Sequence, residues 1–177
     1  MPVLPLLLST YDFVGDRLRG RLAGLTDAEY LWEPVPDMWS VREQDGRWIP
    51  APNRHVPEPA PMTTIAWRVW HIASDCLTCY VSPQLGEWPL PVPRGEWYGS
   101  AAPALATLDI AYAEFRARIS ALDEDGLATE LGPRWGPYAH DSWAALVLHA
   151  IDEIAHHGAE IALLRDLYLR RDSFSPN

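Results

Sequence analysis

The chain has 177 residues, with 14 Lys and Arg against 24 Asp and Glu and a formal net charge of −10. This length predicts one domain over residues 1–177 with a core of its own. The acidic balance disfavours nucleic acids and anionic membrane surfaces as partners. No apolar run approaches the roughly 20 residues that span a bilayer, and the start of the chain lacks the basic segment of a secretory signal. A cytoplasmic protein is therefore expected, and two cysteines exclude a disulfide scaffold.

Four stretches carry apolar residues at intervals of three and four, which is typical of amphipathic helices with one buried face. Gly24 is expected to break the first helix, and the capping-box pattern at residues 26–29 predicts a short helical turn after it. The predicted long helices run from about Leu4 to Leu25, from a cap at Thr63 or Thr64 to about Tyr80, from a cap at Ser100 to Leu122, and from a cap at Asp141 to about Arg170.

Two segments rich in Pro, Gly and Trp separate these helices. Residues 33–61 contain seven prolines, a density that a helix or a central strand does not tolerate. No stretch shows useful strand-type alternation. The sequence therefore predicts an all-α four-helix bundle with long Pro- and Trp-rich loops. Four loop tryptophans either wall a pocket or pack the loops onto the bundle: Trp39, Trp48, Trp97 and Trp135.

Residues 149–157 of the fourth predicted helix contain three histidines and two carboxylates. Side chains four residues apart share a helix face, which pairs His149 with Glu153, Glu153 with His157, and Asp152 with His156. Glu153 and His157 neighbour the apolar stripe, whereas Asp152 and His156 point towards a flank. Glu153 and His157 are therefore candidate metal ligands, and the alternative is a solvated face with one hydrogen-bonded core histidine.

A third ligand has to come from another helix, because two side chains hold a divalent ion poorly. His71 lies near the inward stripe of the second predicted helix. On its own such a residue is more often a core histidine than a ligand. Together with Glu153 and His157 in a bundle, it completes a candidate set of two imidazoles and one carboxylate.

Trp70-His71-Ile72 on the second helix, with Glu153 and His157-Gly158-Ala159-Glu160 on the fourth, resembles the DinB-like superfamily of metal-binding four-helix bundles. The resemblance covers most of the chain and implies the ligands His71, Glu153 and His157. Many members have histidine where Glu153 stands. Glutamate at that position is similar to the branch related to mycothiol-dependent maleylpyruvate isomerase, in which two histidines and a glutamate hold zinc. Residues 149–168 are also similar to actinobacterial DinB-like proteins of unassigned function.

Three protein ligands leave a position open for water or substrate, which is the pattern of a catalytic zinc site. Zinc is the first expectation for the metal, and nickel, manganese or iron suit the same ligands. The resemblance implies a thiol transferase or isomerase, in which the metal activates a low-molecular-weight thiol or water towards a bound electrophile. The alternatives are a non-catalytic metal-binding or dimerising stress-response bundle and a bundle without metal. A homodimer is left open.

Three further side chains are predicted to support the ligands. Glu160 and Asp75 lie three and four residues beyond a predicted ligand, where a carboxylate can orient an imidazole. His149 lies one turn before Glu153 and is predicted to line the pocket. An exposed carboxylate is the alternative for Asp75, and His156 is predicted to be a surface or interface residue.

Cys76 and Cys79 form a C-x-x-C pattern in the middle of the second predicted helix. Redox motifs of this form lie at a helix N-terminus after a strand, where the thiol pKa is lowered. No strand is predicted before this helix. Both cysteines are therefore predicted to be small buried apolar residues.

Overall fold

The computed structural model describes residues 2–52, 56–85 and 88–173, with the side chains of residues 83–85 excluded. Its helices are α1 (Val3–Leu22), α2 (Asp27–Tyr30), α3 (Ile65–Trp70), α4 (Cys79–Leu85), α5 (Ala101–Ser120), α6 (Glu124–Ala128) and α7 (Trp143–Tyr168). A π-helical segment, His71–Thr78, joins α3 to α4 into one long helix, and 3₁₀ turns occur at Pro133–Tyr138 and Arg171–Ser173.

Four long helices form the body of the protein: α1, the helix formed by α3, the π-helical segment and α4, then α5 and α7. α1 packs chiefly against α7, and α5 packs chiefly against the π-helical segment. The core between them is aliphatic and aromatic, with Tyr11, Ile72, Leu77, Phe115 and Ile154 almost fully buried. The predicted all-α four-helix bundle is confirmed, as is the break at Gly24, which has a positive φ of 72°.

The prediction that the chain contains no strands is wrong. Residues 33–61 include an antiparallel hairpin of β1 (Val41–Gln44) and β2 (Arg47–Pro50). Asp45 and Gly46 form its two-residue turn, and both have positive φ values of 51° and 76°. Strands of four residues are too short to show clear alternation. The Asp-Gly pair is nevertheless a strong hairpin signal, because it suits the type I′ turns that join two strands tightly.

One predicted helix cap, Asp141, is wrong, and another, Ser100, is correct in position only. Ser100 precedes α5 but makes no side-chain capping bond; the backbone N–H of Ala101 instead donates to Asp27 Oδ1 at 2.7 Å. Ser142, and not Asp141, caps α7 by accepting a backbone N–H from its first turn. In both places a second polar side chain was in reach, and tertiary position decided which one satisfies the free N–H groups.

The short helix α2 closes one end of the bundle. Its capping box is formed as predicted, with Thr26 accepting from the N–H of Glu29 at 3.3 Å. The Glu29 carboxylate is buried and lies 2.7 Å from Arg165 Nε on α7. Arg165 also donates to the carbonyl oxygen of Ala23 at 2.9 Å. The end of α1 and the start of α2 are thereby fixed to α7.

The contact between α1 and α5 is a stacked tyrosine pair. The rings of Tyr11 and Tyr112 lie 4.2 Å apart, and Tyr11 Oη donates to the Tyr112 carbonyl at 3.1 Å. The Tyr112 hydroxyl donates in return to the Tyr11 carbonyl. Gly15 makes room for this arrangement, because a Cβ at Gly15 would overlap the Tyr112 ring. The bonds on both sides of the pair restrict how far Tyr112 can move.

We expect Gly15→Ala to lower the free energy of unfolding by about 1–3 kcal/mol, the usual cost of overpacking a core. Gly20→Ala is the matched control on the same helix, because a Cβ there meets nothing within 4 Å. Because alanine has a better helix propensity than glycine, Gly20→Ala is expected to stabilise the protein by up to about 1 kcal/mol. Urea unfolding measures both values, and equal stabilities for the two variants would contradict the packing argument.

Candidate metal centre

The π-helical segment places three polar side chains on one side of the second long helix. In an α-helix, residues five apart point about 140° away from each other. A π-helix makes i→i+5 contacts instead, and here Thr78 Oγ1 donates to the Ala73 carbonyl at 2.7 Å. His71 and Cys76 are also five apart, and Cys76 Sγ lies 3.5 Å from His71 Nε2. Asp75 lies beside the same imidazole.

The carboxylate of Glu153 on α7 is the centre of the cluster. Its Oε2 lies 2.8 Å from His157 Nε2, 3.3 Å from His71 Nε2 and 3.5 Å from Cys76 Sγ. The side chains of His71, Glu153 and His157 are only 15%, 19% and 10% exposed. Four groups that can ligate a metal therefore meet around one buried oxygen, and they come from two helices of the bundle.

Each of the two imidazoles has a carboxylate on its other nitrogen. His71 Nδ1 lies 3.1 Å from Asp75 Oδ2, and His157 Nδ1 lies 2.7 Å from Glu160 Oε2. Glu160 is itself held by Arg68, whose Nε lies 2.8 Å from Oε2. Carboxylates placed in this way fix the ring orientation and direct Nε2 of each histidine inward, as around metal-binding histidines in general.

The groups of the cluster shift each other's pKa values. Hydrogen bonds from His157 and then from His71 hold the pKa of the Glu153 carboxyl well below its ordinary value. Burial disfavours the charged form of His71, but hydrogen bonds with Asp75, Cys76 and Glu153 outweigh it and raise the His71 pKa to about 11. Burial raises the pKa of the Cys76 thiol. A cation that binds here therefore replaces protons, because metal ligands have to be deprotonated.

The remaining histidines of α7 lie further out. His149 Nε2 is 3.6 Å from Glu153 Oε1, and its side chain is 54% exposed. His156 is exposed, with its Nε2 3.6 Å from Glu160 Oε1, and Asp152 is exposed as well. The structure thus brings His71, Glu153 and His157 together and places Asp75, Glu160 and His149 around them.

Cys76 is the residue of this cluster that the sequence interpretation missed. It is buried, as predicted, but its thiol lies against polar ligand groups and not only among apolar side chains. Cys79 has a separate environment, with its sulfur 3.7 Å from an Arg94 guanidinium nitrogen. The C-x-x-C pattern gave no indication of this difference, because it arises from the five-residue spacing between His71 and Cys76 in a π-helix.

A cavity of about 430 Å³ opens beside the cluster. His71, Cys76 and Glu153 lie on its floor, whereas His157 lies behind them and does not line it. A space of this size is within the range of small-molecule sites. The walls are mostly apolar and aromatic and include Tyr80, Leu131, Trp135, Tyr138, Leu146 and His149.

Of the four loop tryptophans, Trp135 lines the cavity, and its Nε1 donates to the Tyr80 carbonyl at 3.0 Å. Trp39 packs against Trp67 instead, with ring centres 5.4 Å apart. Trp48 covers Gly99, and Trp97 is buried in the core. Among the described residues, the loop residues of the cavity wall come from the segment before α7 and not from residues 33–61.

Comparisons with a solved structure and with a family of known proteins support this fold. A crystal structure of a conserved protein from Enterococcus faecalis matches with a TM-score of 0.60 over 96% of this chain and 98% of that one, at 18% sequence identity. No curated protein matches the sequence. None of the described helices has both the length and the apolar character needed to cross a bilayer.

The resemblance to the maleylpyruvate isomerase branch stays a prediction. A family model described as the DinB superfamily matches residues 10–161, and the chain therefore belongs to that superfamily.

Proposed function

We propose that the protein is an enzyme that binds one divalent metal ion through His71, Glu153 and His157 and uses it to activate a small-molecule thiol or water. One observation carries the proposal. Nε2 of both imidazoles lies within 3.3 Å of a single Glu153 oxygen, and His71 and Glu153 line a cavity that admits a small ligand. A set of donor atoms this close, buried and open on one side, has the composition of a catalytic zinc site.

The residues present suit such an ion. Two imidazoles and one carboxylate bind zinc well, and nickel, manganese or iron are the alternatives. Asp75 and Glu160 occupy the outer nitrogens of His71 and His157, which leaves the inner Nε2 atoms for the metal. When bound, a divalent ion would lower the pKa of a thiol or water beside it, so that a nucleophile forms near neutral pH.

The other side chains of the cavity have separate tasks in this proposal. The walls formed by Trp135, Tyr138 and Leu146 hold the apolar part of an electrophile. His149 lies on the same wall, half-exposed and 3.6 Å from Glu153, where its imidazole can accept the proton of an entering thiol.

We expect protein purified without chelator to contain about one metal equivalent by mass spectrometry, as one three-ligand site requires. Glu153→Ala and His157→Ala each remove a proposed ligand and are expected to lose the metal. His156→Ala is the matched control, because His156 is the exposed neighbour of His157 on α7, and this variant keeps the metal. Wild-type protein that stays metal-free after reconstitution with zinc, nickel and manganese would overturn the proposal.

Glu160→Gln is expected to weaken zinc binding by about 10- to 100-fold, the usual effect of losing a carboxylate that orients a metal-bound histidine. Glu160 lies 2.7 Å from His157 Nδ1, and glutamine lacks the charge that favours this orientation. Competition with a zinc-binding dye measures the affinity. Asp152→Asn, at an exposed carboxylate on the same helix, serves as the control and leaves the affinity unchanged.

Ala145→Phe tests whether the cavity is used in catalysis. Ala145 lines the cavity from an exposed position on α7, so the larger side chain fills the space without entering the core. We expect the variant to keep its metal and to lose at least about tenfold in thiol-dependent turnover, or roughly 1.4 kcal/mol in transition-state stabilisation. A panel of low-molecular-weight thiols with a chromogenic aryl halide provides the assay. Metal binding without turnover by the wild type would support the non-catalytic alternative.

A further inference from the structure

We propose that Cys76 is a fourth ligand of this site, bound to the metal through Sγ as a thiolate. The inference rests on the proposed metal-binding function and goes beyond the three ligands that the sequence predicts. Cys76 Sγ lies 3.5 Å from both His71 Nε2 and Glu153 Oε2. One ligand atom from each of these three residues can be chosen so that all lie within 4.8 Å of one another, which is close enough to hold one ion.

The backbone supports this assignment. An α-helical path through this segment would turn Cys76 about 140° away from His71. The π-helical path places both side chains towards Glu153, and π-helical turns are frequent at functional sites. The segment is held from two sides, by α5 and by α7, so its geometry is set by the bundle.

The surroundings of the thiol also favour a ligand over a packing residue. Cys76 is 2% exposed, yet its sulfur contacts an imidazole and a carboxylate. A divalent cation between these groups would be within reach of all three, and a thiolate coordinated to a metal loses its proton outright.

The chain offers a second, weaker group of ligand atoms at His156, His157 and Glu160. This second group contains no cysteine and does not line the cavity beside the first group. Glu160 is held by the Arg68 guanidinium at 2.8 Å, so its carboxylate is already paired with a positive charge. His156 is exposed. These differences leave the cluster at Cys76 as the place where a thiolate ligand fits.

A cysteine ligand changes which metal ion the site prefers. Two imidazoles, one carboxylate and one thiolate give four protein ligands, the number that tetrahedral zinc takes. Thiolate is a soft ligand and favours zinc over manganese. Because Cys76 lies on the cavity floor, a small-molecule thiol in the cavity would compete with Cys76 for a bound metal.

Cobalt(II) titration tests the proposal, because a thiolate bound to cobalt gives an intense charge-transfer band in the near ultraviolet. The experiment uses the full chain with a reductant that contains no thiol. We expect the band in the wild type and in Cys79→Ser, and its loss in Cys76→Ser. We also expect Cys76→Ser to bind cobalt at least about tenfold more weakly. Mutation of residues that merely orient a metal ligand already weakens binding by about 10- to 100-fold.

The Cys79→Ser variant keeps the test decisive even if Cys76→Ser does not fold. The chain has two cysteines, so a band in Cys79→Ser can arise only from Cys76. Cobalt binding without a charge-transfer band in wild type would overturn the role of Cys76 and leave the three-ligand site standing. A band that disappears in Cys79→Ser and persists in Cys76→Ser would also overturn it. No cobalt binding at all would count against the metal site itself.

Discussion

The π-helical path between His71 and Thr78 is the constraint on which the geometry of the site depends. It sets His71 and Cys76 side by side and turns both towards Glu153. A π-helix is rare because its backbone geometry is less favourable than that of an α-helix, and tertiary packing has to maintain it. Fully buried Ile72 and Leu77 provide that packing from within the segment. The core of the bundle therefore stabilises the local conformation that the site needs.

The cluster places several ionisable groups where water is scarce, and burial of charge is costly unless each charge is paired. Each of these carboxylates lies beside side chains that can carry a positive charge: Glu153 lies between two imidazoles, and Glu160 lies between His157 and Arg68. A buried ion network of this kind is weak evidence for stability, because well-packed apolar residues often serve a fold equally well. The binding of a cation, as proposed above, would give this network a function that packing alone does not.

Much of the bundle and part of the site follow from periodicity alone. The steps of four that pair Glu153 with His157 could be taken from the sequence because they depend on regular helix geometry. His71 could be placed because it neighbours the apolar stripe of its helix. The Asp45-Gly46 pair is typical of a hairpin turn, but the strands beside it are too short to show clear alternation. Cys76 carried no such signal, because five-residue spacing has meaning only where the helix widens. Capping of α5 by Asp27 depends on a contact across 74 residues, which local patterns do not reveal.

One winding row of side chains on α7 joins the parts of the site. Ala145, His149, Glu153 and His157 follow at steps of four, and Glu160 comes three residues later. Each step of four advances about 40° around the helix, so the row turns from the cavity towards the interior. Exposure falls from exposed Ala145 to half-exposed His149, then to Glu153 at 19% and His157 at 10%, and it rises again to 35% at Glu160. A single helix thus carries both wall residues of the cavity and two of the proposed ligands, and a change in its register would displace them together.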